Sequence, residues 1–231
     1  MVALAGWGIV EMLPPDHPYA GSWHADADRS TLLDVHTQGM GVTLHAGNTS
    51  RVEVTADGGY DDQAPEFSMT ASGQTIAVVG TCAGGCSVQL HITLPAALAA
   101  TVETGGPAIS AAGLSGRLDL HTTSGAIDVD NTSGPLTLRS DDGAVTLSGS
   151  RSPSAKVTTG DGAVDATFSS APATVDIKTH DGAVDLRLPK DAGYSIDAHS
   201  SGSTPEVALP TDRNASHAID VETRGGGLKV H

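Results

Sequence analysis

Seven aromatic residues, two cysteines and twelve lysines and arginines are all that 231 residues hold of those types. Scarce aromatics exclude a core built around large rings. Basic residues so few and scattered exclude a phosphate-backbone partner, whose binding rests on clustered lysine and arginine, and they disfavour an anionic membrane surface for the same reason. Acidic residues number 27, and the formal net charge is −15. Only six of the 27 are glutamate, the acid that helices favour; the rest are aspartate, which belongs in turns and at strand ends. An all-helical chain is thereby excluded. With 39% hydrophobic and 17% charged residues the chain has enough apolar material for a core and too little charge for a disordered polyelectrolyte.

The chain opens on an apolar stretch, Met1 to Leu13, that carries Glu11 as its one charge and ends at Pro14-Pro15. As a helix it would cover ~20 Å of a ~30 Å hydrocarbon layer, so it does not span as it stands. The first basic residue is Arg29, so a signal peptide's basic n-region is missing. Two readings of residues 1–20 stay open: the tail of a membrane helix whose upstream part precedes this sequence, or an apolar strand or arm packed on the domain.

Both cysteines lie in Thr81-Cys82-Ala83-Gly84-Gly85-Cys86, separated by three small residues that can fold back tightly. A Cys82–Cys86 disulfide is sterically feasible and would place the domain in an oxidising compartment. Zinc is the weaker reading, since His91 is the only near ligand. Two free buried thiols in a cytoplasmic protein is the alternative.

What the chain has in abundance is glycine, 28 residues, and much of it is periodic. Ser124-Gly125-Ala126-Ile127 recurs as Asp142-Gly143-Ala144-Val145, Asp161-Gly162-Ala163-Val164 and Asp181-Gly182-Ala183-Val184, with the glycines 18, 19 and 20 residues apart. Ahead of each runs an alternating segment: Leu118-Asp119-Leu120, Leu136-Thr137-Leu138, Ala155-Lys156-Val157 and Val175-Asp176-Ile177, continued at Ile196 and Ile219. Alternation of this kind is a strand with one buried face. Each unit gives two short strands with a glycine turn between them, and cannot bury its apolar face alone. Stacked at ~4.8 Å, units form parallel sheets, and the expected fold is an all-β solenoid with about seven coils over residues 96–231. Gly125, Gly143, Gly162 and Gly182 become one structural column, required because positive φ suits the turn and because stacked turns leave no lateral room.

Residues 21–95 alternate as strongly but lack the period; they read as an antiparallel β region capping the first coil, with Leu94-Pro95 as the junction. The stretch Ser201 to Arg213, with Pro205 and Pro210, reads as a loop or distorted coil near the other end.

The run Val88-Gln89-Leu90-His91-Ile92-Thr93-Leu94-Pro95, then Val102-Glu103-Thr104, Gly113-Leu114-Ser115-Gly116 and the repeated T-x-S-G-x-I and S-D-D-G-A-V units, resembles the bacterial DUF4097 family, whose members are often named adhesins or β-strand-repeat proteins. The likeness covers roughly residues 31–231. It implies a right-handed parallel β-helix-like fold, frequent attachment to an N-terminal membrane segment, and no established catalytic activity. The Cys82/Cys86 pair and the irregular last coils depart from a regular member.

Stacking sets Asp142, Asp161 and Asp181 in one column, where carboxylates ~5 Å apart repel by roughly 1 kcal/mol per pair when solvated. Calcium would relieve this, as the one candidate cofactor; the alternative is that these aspartates cap their turns and stay solvated. The same acids also admit a polysaccharide-active β-helix enzyme with two carboxylates as acid and base, although residues 100–231 offer only Phe168 and Tyr194 as sugar platforms. No H-E-x-x-H set, G-x-S-x-G elbow or G-x-x-x-x-G-K loop occurs. The expectation is a noncatalytic extracytoplasmic or cell-surface module, presenting outward residues Asp128, Thr146, Asp165 and Asp185 to a protein or glycan of the envelope, with a cytoplasmic repeat protein as the alternative.

Overall fold

In the computed structural model, which describes residues 17–231, all regular structure is β-strand. Met1 to Asp16 therefore lie outside the described residues, with the two readings of that segment, whereas residues 17–20 already belong to a strand. The chain runs through β1 (His17–Asp26), β2 (Leu32–Gln38), β3 (Met40–Gly47), β4 (Arg51–Tyr60), β5 (Glu66–Ser72), β6 (Thr75–Thr81) and β7 (Cys86–Pro95). It continues through β8 (Ala99–Thr104), β9 (Ile109–Ala112), β10 (Leu118–Thr122), β11 (Ile127–Asp130), β12 (Leu136–Ser140), β13 (Val145–Ser150) and β14 (Ser154–Thr159). The last seven are β15 (Val164–Phe168), β16 (Thr174–Thr179), β17 (Val184–Arg187), β18 (Tyr194–Ser200), β19 (Glu206–Val207), β20 (His217–Thr223) and β21 (Leu228–Val230).

Two sheets face each other across one core. The 11-stranded sheet has the order β1-β4-β7-β3-β9-β11-β13-β15-β17-β21-β19 and the 10-stranded sheet β18-β20-β16-β14-β12-β10-β8-β2-β6-β5. Each rung of this parallel β-helix-like stack takes one strand from each sheet. The alternation of β10, Leu-Asp-Leu-His-Thr, buries Leu118, Leu120 and Thr122 and turns Asp119 and His121 outward. Its inward residues meet their counterparts in register: Leu118 beside Leu136, Leu136 beside Ala155, Ala155 beside Val175. Across the core Ile127, Val145, Val164, Val184 and Leu228 form the facing file. All are nearly or fully buried, at about 1.5–3 kcal/mol for each larger side chain.

The antiparallel region at the N-terminal end consists of β1, β4 and β5 only: β1 pairs with β4, β4 with β7, and β5 with β6. It is narrower than residues 21–95, because β2, β3, β6 and β7 are themselves parallel members of the rungs. Alternation reports a buried face and is silent on strand direction, which is why the sequence did not separate the two groups. Here the scarce aromatics are concentrated. Trp23 of β1 stacks on Phe67 of β5 across the sheets at 3.8 Å, and burial raises the pKa of the neighbouring Tyr19 hydroxyl.

The rungs depart from chain order at both ends. β20 lies between β16 and β18, and β21 between β17 and β19, so the last strands in sequence form the next-to-last rung. The expected file Val175, Ile196, Ile219 is in fact Val175, Ile219, Ile196. The repeat specifies membership of a file and not position in it, and residues 201–216 are long enough to carry the chain out and back. At the other end β2 and β3 likewise sit inside β6 and β7. Part of β18's free edge is covered by the same 201–216 segment: Thr211 bridges to Tyr194, the Asp212 N–H donates to the Tyr194 carbonyl at 2.8 Å, and Leu209 is buried. Such cover blunts edge-to-edge pairing.

Cys82 and Cys86 form a disulfide, with Cα atoms 5.6 Å apart, across the turn that takes the chain from β6 in one sheet to β7 in the other. Closing so short a loop contributes about 2 kcal/mol by loop entropy. Reduction is therefore expected to lower the melting temperature by roughly 4–8 °C in scanning calorimetry; an unchanged melt would show that the bridge adds nothing.

Candidate functional site

The turn linking each rung's two strands is built by a hydroxyl. The Gly143 N–H donates to Ser140 Oγ at 2.8 Å, and that hydroxyl donates to the Gly125 carbonyl of the preceding rung at 3.0 Å. The arrangement repeats: Thr122 serves Gly125 and the Pro107 carbonyl, and Thr159 donates to Gly143. Thr179 serves Gly182 and the Gly160 and Gly162 carbonyls, and Thr223 serves Gly226 and Gly182. Thr122, Ser140, Thr159, Thr179 and Thr223 are all buried. Sequence reasoning missed this column; its trace is a Ser/Thr three residues before every repeat glycine.

The four repeat glycines stack as neighbours. A Cβ on Gly143 would overlap the Gly125 carbonyl oxygen, one on Gly162 that of Gly143, and one on Gly182 that of Gly162. None of the four has positive φ; that conformation occurs at Gly39, Gly58, Gly73, Gly85, Gly113 and Gly149. Lateral room, and not the left-handed backbone, is what requires glycine in the column.

Outside this turn lie the aspartates. Asp142, Asp161 and Asp181 are exposed, and the turn N–H groups bond the hydroxyl column and backbone carbonyls of adjacent rungs; the Asp142 N–H, for example, donates to the Thr123 carbonyl at 3.1 Å. The structure brings Asp161 and Asp181 together with His180, one ligand atom of each lying within 4.8 Å of the others, with His180 Nδ1 3.1 Å from Asp181 Oδ2. Asp142 is not in that group. Calcium takes 6–8 oxygens, so two carboxylates beside an imidazole suit a nitrogen-accepting divalent ion better.

Outward residues form files along the rod. On the 11-stranded sheet Asp128, Thr146, Asp165, Asp185 and Lys229 are in register. Arg187 bridges two of them, reaching Asp165 Oδ1 at 2.8 Å and Asp185 Oδ2 at 3.0 Å; exposed pairs of this kind contribute under ~1 kcal/mol. On the 10-stranded sheet the file Thr137, Lys156, Asp176, Asp220 and Asp197 borders an open trough of about 500 Å³. Asp176 Oδ1 is buried there without a hydrogen-bond partner, the Lys178 ammonium standing 3.7 Å away.

The family model described as Toastrack DUF4097 matches residues 34–231. Among solved structures the chain is similar to a "putative cell adhesion protein" from Clostridium sporogenes ATCC 15579, at 11% identity and TM-score 0.44 over 92% of this chain and 97% of that one. It is similar to a "putative adhesin" (BF0245) from Bacteroides fragilis NCTC 9343, at 9% identity and TM-score 0.47 over 94% and 97%. A third, a "putative adhesin" from Parabacteroides merdae ATCC 43184, aligns at 10% identity and TM-score 0.43 over 92% and 96%. No curated protein matches the chain. Among the described residues no helix is long and apolar enough to cross a membrane.

Proposed function

This chain belongs to the Toastrack DUF4097 family, and from that premise we propose that it is a noncatalytic, exported or cell-surface solenoid with an adhesin-like binding or scaffolding role toward a protein or glycan of the cell envelope. The observation that carries the reading is that outward polar side chains recur once per rung, in register, as a long rigid face would present them. A catalytic constellation is a unique convergence, which a file of equivalent positions does not make. The Cys82–Cys86 bridge fits an oxidising compartment, and the charge of −15 disfavours nucleic acid. Any membrane contact is assigned to an N-terminal anchor.

Cell fractionation, with thiols alkylated at lysis, is expected to find the protein in the envelope or medium with Cys82 and Cys86 oxidised. Recovery in the cytoplasm with both thiols alkylated would sink the exported reading. A panel of acidic polysaccharides is expected to release no reducing ends, and release that disappears in Asp161→Ala would make the protein an enzyme. The role needs no cofactor: calcium titration is expected to be flat, and saturable heat lost in the same variant would add calcium to it.

A further inference from the structure

The trough on the 10-stranded sheet runs across the strands, along the rod. Its floor is one register position repeated through successive rungs, occupied by small residues: Pro135, Ser154, Thr174, Ala218 and Ser195. Its wall is the adjoining file, Lys156, Asp176, Asp220 and Asp197. A volume of about 500 Å³ lies within the ~300–1,000 Å³ of ordinary ligand sites.

Four observations narrow the occupant. Backbone N–H and C=O groups of β14, β16 and β20 are spent on the rung ladder, so over most of the trough a peptide strand has no edge to add to, and recognition falls to side chains. Charge in the trough balances: Arg117, Lys156 and Lys178 against Asp176, Asp197 and Asp220. On a chain of −15 this is a locally neutral, polar surface, offering no net attraction to a polyanion or a polycation. Hydroxyl, ammonium and carboxylate groups repeat at the rung spacing of ~4.8 Å, and a 1→4-linked pyranose advances its chain by about one such step. Finally, Asp176 Oδ1 makes no hydrogen bond within the protein, its charged partner being the Lys178 ammonium at 3.7 Å, and with 38% of its side chain exposed the carboxylate is open to a sugar hydroxyl on its outer side.

We propose that this trough binds an uncharged linear polysaccharide laid along the rod, with sugar hydroxyls donating to Asp176, Asp220 and Asp197 and accepting from Lys156 and the floor hydroxyls. The inference rests on the binding-module reading above and names the partner class for it. Hydrogen bonds replace the aromatic platforms that the trough lacks, so affinity grows with the number of rungs engaged.

Titration of cellohexaose and chitohexaose into the full protein, followed by calorimetry and by amide shifts, is expected to show saturable binding that weakens stepwise as the oligosaccharide is shortened. Ala218→Trp fills the exposed floor and is expected to lower the affinity at least tenfold; Ser148→Trp, on the outer face of the other sheet, is expected to leave it unchanged. Asp176→Ala should weaken it severalfold. Matching melting curves establish that each variant is folded. No binding of either hexasaccharide, equal binding by Ala218→Trp, or tighter binding of hexagalacturonate would overturn the proposal. A failure here leaves the fractionation result standing, so the loss of this ligand class and the loss of the exported binding role are separate outcomes.

Discussion

Gly162→Ala is expected to cost about 3 kcal/mol or more, lowering the melting temperature by roughly 6–12 °C. The added methyl would overlap the Gly143 carbonyl oxygen and come close to Thr159 Oγ1 at 2.8 Å. The first obstacle is backbone, and that backbone is itself held by the rung beneath, so relief requires several rungs to shift together. In an interior packed to crystal density such motion is expensive. Gly106→Ala is the comparison: nothing lies within 4 Å of its added Cβ and its φ is ordinary, so a change within about 0.5 kcal/mol is expected. Urea melts of the two variants decide the point. Equal stability would mean that the glycine column is not a packing requirement.

Thr179→Val carries the second large effect. The substitution keeps the shape and removes a hydroxyl that accepts from the Gly182 N–H at 3.0 Å and donates to carbonyls at 3.1 and 3.3 Å. These groups are buried in the turn, where water reaches them poorly, and an unsatisfied buried donor or acceptor costs about 1–3 kcal/mol. With one donor and its acceptors stranded together, a loss of about 2–3 kcal/mol is expected by the same reasoning. Combining it with Ser140→Ala, two rungs away, should give nearly additive losses, because the hydroxyls share no partner. A stability within 0.5 kcal/mol of the parent, measured by urea unfolding, would show that the turns find other partners.

The repeat was legible because stacking forces chemically equivalent residues into equivalent places. Leu118, Leu136, Ala155 and Val175 announce a file by spacing alone, and the glycines announce where the rungs approach most closely. Three things were not legible. Residues 32–95 alternate well enough to be strands, yet nothing in Val35 or Val42 distinguishes a parallel neighbour from an antiparallel one, since the difference lies in which backbone groups pair. Ile196 and Ile219 are both good file members, and the exchange of their places depends on where the intervening loop travels. The hydroxyl column looked like strand-end composition: a threonine at the end of β10 or β16 is unremarkable until the rung beneath supplies its acceptor. For the candidate site the sequence exposed the acids and their period, and Asp161 and Asp181 do come together, with His180 beside them. The trough could not be read, because its floor of Ser154, Thr174 and Ala218 is defined by what is small there.

The exchanged rungs at both ends bear on how the rod comes apart and how it is made. In a simple stack the last segment can peel away with only one neighbour lost. Here the C-terminal β20 and β21 are clasped on both sides, so detaching the tail means parting two interfaces at once, and the outermost rung is tethered at each of its ends. A nascent chain leaving the ribosome cannot complete this arrangement until β20 and β21 have emerged, which makes these two strands a keystone set after the rung outside them has been made.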